Sequence, residues 1–193
     1  MKFVKDTFTQ TLEIKQSKFI AYLTPYTQYH DTLSKLKASH PKARHFVVAY
    51  RYFNQYSQIV EHSSDDGEPK GTSGKPSLMV LQGNELINSA VIIIRYFGGT
   101  KLGTGGLVRA YGDAVNLVIE SAELFMYTKQ IEITIGFNYT DVRIIEYECE
   151  SCDVSINTKV YENDVVYTLQ ASEKNLDTFF QNIKNRNCSL RRL

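Results

Sequence analysis

Two stretches of this sequence gather residues able to do chemistry. The first runs Arg95-Tyr96-Phe97-Gly98-Gly99-Thr100-Lys101-Leu102-Gly103-Thr104-Gly105-Gly106-Leu107-Val108-Arg109. It carries three cations and five of the chain's eleven glycines. Glycine lets backbone N–H groups come close to a ligand, and a helix beginning here would turn unpaired N–H groups and a positive dipole end toward an anion. Arg95, Lys101 and Arg109 have the sign to hold a phosphate or an acidic side chain. Gly98, Gly99, Gly103, Gly105 and Gly106 would keep the backbone close to it. A tight turn that needs positive φ would use the same glycines, and composition leaves both readings open.

The second stretch is Ser63-Ser64-Asp65-Asp66-Gly67-Glu68-Pro69-Lys70-Gly71-Thr72-Ser73-Gly74-Lys75-Pro76. Asp65, Asp66 and Glu68 are close enough in sequence to share a hard cation such as Mg²⁺. A solvated turn whose carboxylates accept backbone N–H groups is the better-supported reading. His45 and His62, on neighbouring strands, lack the helical H-E-x-x-H pattern and a third ligand for zinc. Cys149-x-x-Cys152 falls within a helix and has no second ligand pair, so Cys149 is expected in the core and Cys152 near the helix end. Ser63, Ser64 and Ser73 sit in no G-x-S-x-G elbow, and the glycines match neither a P-loop nor a Rossmann fingerprint. Tyr50, Tyr52 and Tyr56 could stack bases, but on a strand they more often face a core.

The elements that must position these residues follow from periodicity. Ala90-Val91-Ile92-Ile93-Ile94 reads as a strand buried on both faces. Leu107, Tyr111, Ala114, Val118 and Ala122 mark a helix leading out to Phe125. Gly105 and Gly106 are therefore expected at a strand-to-helix junction. A side chain there would crowd the strand end or force a positive φ, so Gly106→Val is expected to destabilise. Upstream, one or two strands end at Pro25, and Thr27 is expected to cap a helix through about Ser39. Arg44 to Phe53 and Tyr56 to Glu61 read as an antiparallel hairpin. Thr72 or Ser73 is expected to cap a short helix that stops at Gly83. The two glycine-rich segments thus flank one helix and one strand, and they are expected to meet on one face of the sheet. Beyond Thr128 the order strand, helix, strand, strand, helix, strand is the ferredoxin-like pattern, with helices over Tyr139 to Cys152 and Glu173 to Asn185.

The chain of 193 residues has 22 basic and 21 acidic residues, so its overall charge marks neither a nucleic-acid nor a membrane protein. Residues 1–128 hold 14 basic and 11 acidic residues, and residues 129–193 hold 8 and 10. A local basic patch is compatible with that mild split. No apolar run reaches the roughly 20 residues of a membrane span. Three late cysteines make no disulfide framework, and a cytoplasmic chain with reduced thiols is expected. The expected domains are residues 1–128 and 129–193, the second small enough to need support from the first.

With Ser64-Asp65-Asp66-Gly67-Glu68-Pro69-x-Gly71-Thr72-x-Gly74-x-Pro76 followed by the Arg95-to-Tyr111 run, the chain resembles the IMPACT/YigZ family. Lys18-Phe19 and Ala43-x-His45 also fit. Phe46-Val47 stand after His45 where the family often has Asn-Cys, so no thiol role carries over. The resemblance implies an α+β protein. Its N-terminal domain would be like the second domain of a small-subunit ribosomal protein and domain IV of elongation factor G, and its C-terminal domain ferredoxin-like. Eukaryotic relatives regulate translation under amino-acid starvation by binding the activator of a stress kinase. The resemblance therefore implies a non-enzymatic, translation-linked regulator in a stress response. It would bind RNA, the ribosome or a translation-related protein through the cationic glycine loop, with no membrane and no required cofactor. The alternative is an enzyme with a phosphate ligand or a metal between the two glycine-rich loops. Fold likeness alone decides neither.

Overall fold

The structure, a computed structural model, describes residues 1–186 and 188–193. The chain divides into two compact units, Met1–Tyr127 and Thr128–Leu193. The first is built on β6 (Ser89–Tyr96), the apolar run expected from the sequence. Every residue from Ser89 to Arg95 is buried. Around it lie β2 (Phe8–Ile14), β3 (Ser17–Pro25), β4 (His45–Phe53) and β5 (Ile59–Ser64), in the order β2-β3-β6-β4-β5. All four pairings are antiparallel.

A central antiparallel strand is buried on both faces only if helices cover both. Helix α1 (Tyr29–Ser39) covers one, where Tyr29 and Leu36 pack with Ala90, Ile92 and Ile94. Helices α2 (Gly74–Gly83) and α3 (Gly103–Glu120) cover the other. There Leu81, Leu107, Tyr111, Ala114 and Val118 pack with Val91 and Ile93. Alternate residues of one β-branched run thus serve two cores, as the period of two requires. A short ladder of β1 (Lys2–Phe3) with β7 (Phe125–Met126) ties the ends of the unit together.

Several local expectations are corrected. Thr27 caps nothing: it lies in a 3-10 turn over Tyr26–Gln28, and Gln28 occupies the α1 N-cap without a side-chain bond. Ser73 is the N-cap residue of α2, but its hydroxyl caps nothing in the helix. It donates instead to Asp65 Oδ1, and the Thr72 hydroxyl donates to the Pro69 carbonyl. The cap comes from Asp65, eight residues upstream, whose Oδ1 accepts from the N–H groups of Ser73 and Gly74. Gly83 is the last residue of α2, and the left-handed position falls two residues later on Glu85, at φ 55°.

The largest difference lies in α3. It begins at Gly103, one turn earlier than the stripe from Leu107 suggests. Gly105 and Gly106 are inside its first turn, not at a junction, and neither has a positive φ. A Cβ on Gly105 would meet nothing within 4 Å, and one on Gly106 only the Leu102 Cβ at 3.1 Å. The glycine of this stretch packed most tightly by the fold is Gly98, where a Cβ would lie 1.9 Å from the Gln16 carbonyl carbon. Gln16 itself is held left-handed, at φ 64°, in the tight β2–β3 turn.

The second unit follows its predicted order. Its elements are β8 (Gln130–Phe137), α4 (Val142–Ser151), β9 (Ser155–Tyr161), β10 (Val165–Ser172), α5 (Glu173–Asn185) and β11 (Leu190–Arg192). The sheet order β11-β8-β10-β9, antiparallel throughout, is the ferredoxin-like arrangement. Ile145, Cys149, Leu176, Phe179 and Ile183 pack on it.

Candidate functional site

The acidic loop is spent on the fold. Asp65 accepts four hydrogen bonds, from the Gly71 N–H on Oδ2 and from Ser73 N, Ser73 Oγ and Gly74 N on Oδ1. Burial alone would raise its pKa, but these bonds hold the carboxyl below its ordinary value. Asp66, left-handed at φ 44°, accepts the Phe46 N–H on Oδ2 at 2.6 Å, and its carbonyl accepts from His45 Nδ1 at 2.8 Å. Glu68 turns inward and accepts from Arg95 Nη1 at 2.7 Å and from the Tyr111 hydroxyl at 2.8 Å. Burial and the Glu68 carboxylate push the Tyr111 phenol far above its usual range, so it remains a donor. The three carboxylates therefore diverge to separate partners. Among the described residues no three His, Cys, Asp or Glu side chains converge on a point that could hold a metal.

The Glu68–Arg95 pair is the contact that joins the two glycine-rich segments, as the element order suggested. Arg95 is not an open cation. Its side chain is 9 % exposed and its guanidinium lies 5.5 Å from the Phe19 ring and 5.7 Å from the Phe97 ring. Among the described residues its Nε has no hydrogen-bond partner, which is rare for a buried N–H. Phe97, at the outer side of this stack, is 59 % exposed.

The rest of the glycine stretch faces outward. Gly98 donates its N–H to Ser17 Oγ, and Gly99 takes φ 87° to turn the chain away from the strand. Gly103 takes φ 73° and opens α3. No side chain caps that helix, and no acidic residue stands in its first turn. Lys101 and Arg109 are both exposed. Among the described residues neither meets a carboxylate within 4.0 Å. Between the loop and the acidic segment lies a depression of about 300 Å³ lined by Glu68, Arg95, Phe97, Lys101, Leu102 and Leu107, among others.

The remaining candidates are scattered. His62 stands opposite Tyr50 in the β4–β5 ladder and stacks on its ring, five positions along β4 from His45, so the two histidines form no pair. Tyr50 and Tyr52 belong to an aromatic cluster with Tyr26, whose ring lies 4.0 Å from that of Tyr52 at an interplanar angle of 4°. Burial, and Tyr52 beside it, push the Tyr26 phenol up to about 12. Tyr56 is exposed at the hairpin tip. Burial pushes the Cys149 thiol up to about 12, which makes it a core residue and not a nucleophile. Four residues of the site are not marked by the sequence pattern. From sequence, Tyr111 reads only as helix stripe, Phe97 only as loop and Arg44 only as the start of a strand, while Lys42 goes unmarked. The signal for the last pair was present as Lys42-x-Arg44-His45, but its importance depends on the register that sets His45 opposite Arg95.

Comparisons with known proteins agree with this architecture. Residues 15–119 match the family model of the Impact N-terminal domain. An IMPACT family member of Haemophilus influenzae is 36 % identical over 170 residues, which cover 86 % of this chain and 82 % of that protein. The IMPACT family member YigZ of Escherichia coli is 36 % identical over 153 residues, covering 78 % and 75 %. A crystal structure described as that of a hypothetical protein superposes with a TM-score of 0.73 at 31 % identity. The match covers all of this chain and 95 % of that one. With the acidic loop, the glycine stretch and the fold that joins them all in place, the chain belongs to the IMPACT family.

Proposed function

We propose that this protein is a translation-linked regulator that acts by binding, and that its leading partner is RNA, as a free strand or at the ribosome surface. Family membership supports the link to translation. The geometry supports the mode. An exposed Phe97 lines the same depression as Lys101, and Arg109 lies six residues along α3 from Gly103. Backbone N–H groups at an uncapped, glycine-rich helix start can meet phosphate oxygens, while an aromatic ring offers a face to a base. The observation that carries this reading is that, among the described residues, Lys101 and Arg109 meet no carboxylate while every acid of the neighbouring loop is engaged. A surface that neutralised its own cations would have nothing left for a phosphate chain.

Ribosome co-sedimentation across a salt series tests the proposal. The wild type is expected to co-sediment at low salt and to be released steeply as salt rises. Lys101→Glu with Arg109→Glu is expected to stay in the supernatant. Binding by the double variant equal to wild type, or none by the wild type alongside no binding to free RNA, contradicts it.

A further inference from the structure

A second depression, of about 420 Å³, shares Arg95 and Phe97 with the first but is otherwise lined by Lys42, Arg44, His45 and Tyr96. No acidic side chain lines it. The fold assembles it through the β4–β6 pairing. His45 is the cross-strand neighbour of Arg95, and Lys42 and Arg44 precede it on the segment entering β4. Lys42 and Arg44 are exposed and, among the described residues, meet no carboxylate within 4.0 Å. His45 Nδ1 faces the Asp66 carbonyl. A carbonyl only accepts, so Nδ1 carries a proton, and Nε2 donates to an anion only when the ring is protonated there as well. Arg95 gives Nη1 to Glu68, and its Nε is buried without a partner among the described residues.

We infer that this pocket takes the phosphate monoester of a nucleotide. Two open cations, Lys42 and Arg44, share the pocket with an imidazole and with the buried Arg95 guanidinium, whose charge Glu68 already balances. Such a knot suits a compact dianion, whereas a phosphodiester chain is met by charges spread along a track. The volume is in the range of small-ligand pockets. Phe97 at the rim offers a stacking face for the base. The inference shares Phe97 with the RNA reading but not its cations, since it stands on Lys42 and Arg44 and the RNA reading on Lys101 and Arg109. The monoester could belong to a free nucleotide or to the 5′ end of an RNA.

Calorimetry on the full chain tests it with inorganic phosphate, AMP, adenosine and two oligoribonucleotides that differ only in a 5′-phosphate. Phosphate and AMP are expected to bind, AMP more tightly, and adenosine not to bind. Lys42→Gln with Arg44→Gln is expected to weaken AMP about tenfold or more with an unchanged urea midpoint. Lys101→Glu with Arg109→Glu is expected to leave AMP binding as it was. Tighter binding of the 5′-phosphorylated oligonucleotide assigns the pocket to RNA ends; equal binding of the two assigns it to the mononucleotide. Absence of a saturable signal with both phosphate and AMP overturns the inference, as does AMP affinity unchanged in the Lys42/Arg44 variant. Failure of the RNA face shows separately, as RNA affinity unchanged by the Lys101/Arg109 substitutions.

Discussion

The two halves of the stretch from Arg95 to Arg109 are made of the same residue types and do opposite work. The strand half is built into the molecule. Arg95 is buried against Glu68 and Phe19, and Gly98 is pressed onto the Gln16–Ser17 backbone. The helix half is open. Gly105 has empty space where a side chain would go, and Lys101 and Arg109 are exposed. The lesson is that a cation or a glycine in such a loop has no meaning by type alone. Its meaning comes from whether the fold has already used it.

The sharpest test of the strand half is Gly98→Ala. A methyl group 1.9 Å from the Gln16 carbonyl carbon forces the β2–β3 turn off the loop. Neither partner is a flexible side-chain end, so a loss of about 5 kcal/mol is expected, at the exceptional end for one substitution. A urea midpoint near wild type would show that the strand half is not clamped. Glu68→Ala comes next. It leaves the Arg95 charge buried without its carboxylate and the Tyr111 hydroxyl without an acceptor, and should cost about 3–5 kcal/mol. A loss under about 1 kcal/mol would mean that water replaces the carboxylate and that Arg95 is more open than its burial indicates.

Asp65 gives a smaller effect with a pH signature. Asp65→Asn should cost about 1–2 kcal/mol at neutral pH, as loss of a charged cap on α2. The folded-state pKa of Asp65 is lowered by its hydrogen bonds. Its contribution is therefore fully present above the ordinary value of about 3.9 and is lost as pH falls below it. The gap in urea midpoint between wild type and Asp65→Asn should be flat above about pH 5 and close on acidification. A gap that widens in acid would reverse the sign and contradict the assignment.

How much of this was legible in the sequence depends on the range of the interaction. The apolar stripe Leu107, Tyr111, Ala114 and Val118 and the run through Ile92, Ile93 and Ile94 are local periodicities, and they place α3 and β6 directly. The start of α3 was not legible, because Gly103, Gly105 and Gly106 have poor helix propensity. The caps were misread for a different reason. Ser73 has the right residue type, but its hydroxyl is taken by an aspartate eight positions away. Arg95 shows the limit most plainly. Nothing within its own segment distinguishes a buried ion pair from an open phosphate contact; the distinction is made by Glu68, 27 residues upstream.

The smallest stability effect belongs to the open half. Gly105→Ala puts a methyl into empty space in a helical turn and should stabilise by about 0.5–1 kcal/mol. A loss of that size would show that the backbone there is not the relaxed helix described. If the variant is stable but binds RNA less well, the glycine serves close approach of the ligand.

The central claim is that the exposed cations of the helix half work on something outside the molecule. It is tested most directly by titrating a short single-stranded RNA at low salt against wild type and Lys101→Glu with Arg109→Glu, with urea midpoints measured on the same preparations. The account predicts midpoints within about 0.5 kcal/mol of each other, as for exposed positions without partners. It predicts RNA affinity reduced by tenfold or more and a shallower dependence on salt in the variant. Equal affinity and equal salt dependence at equal stability would contradict it.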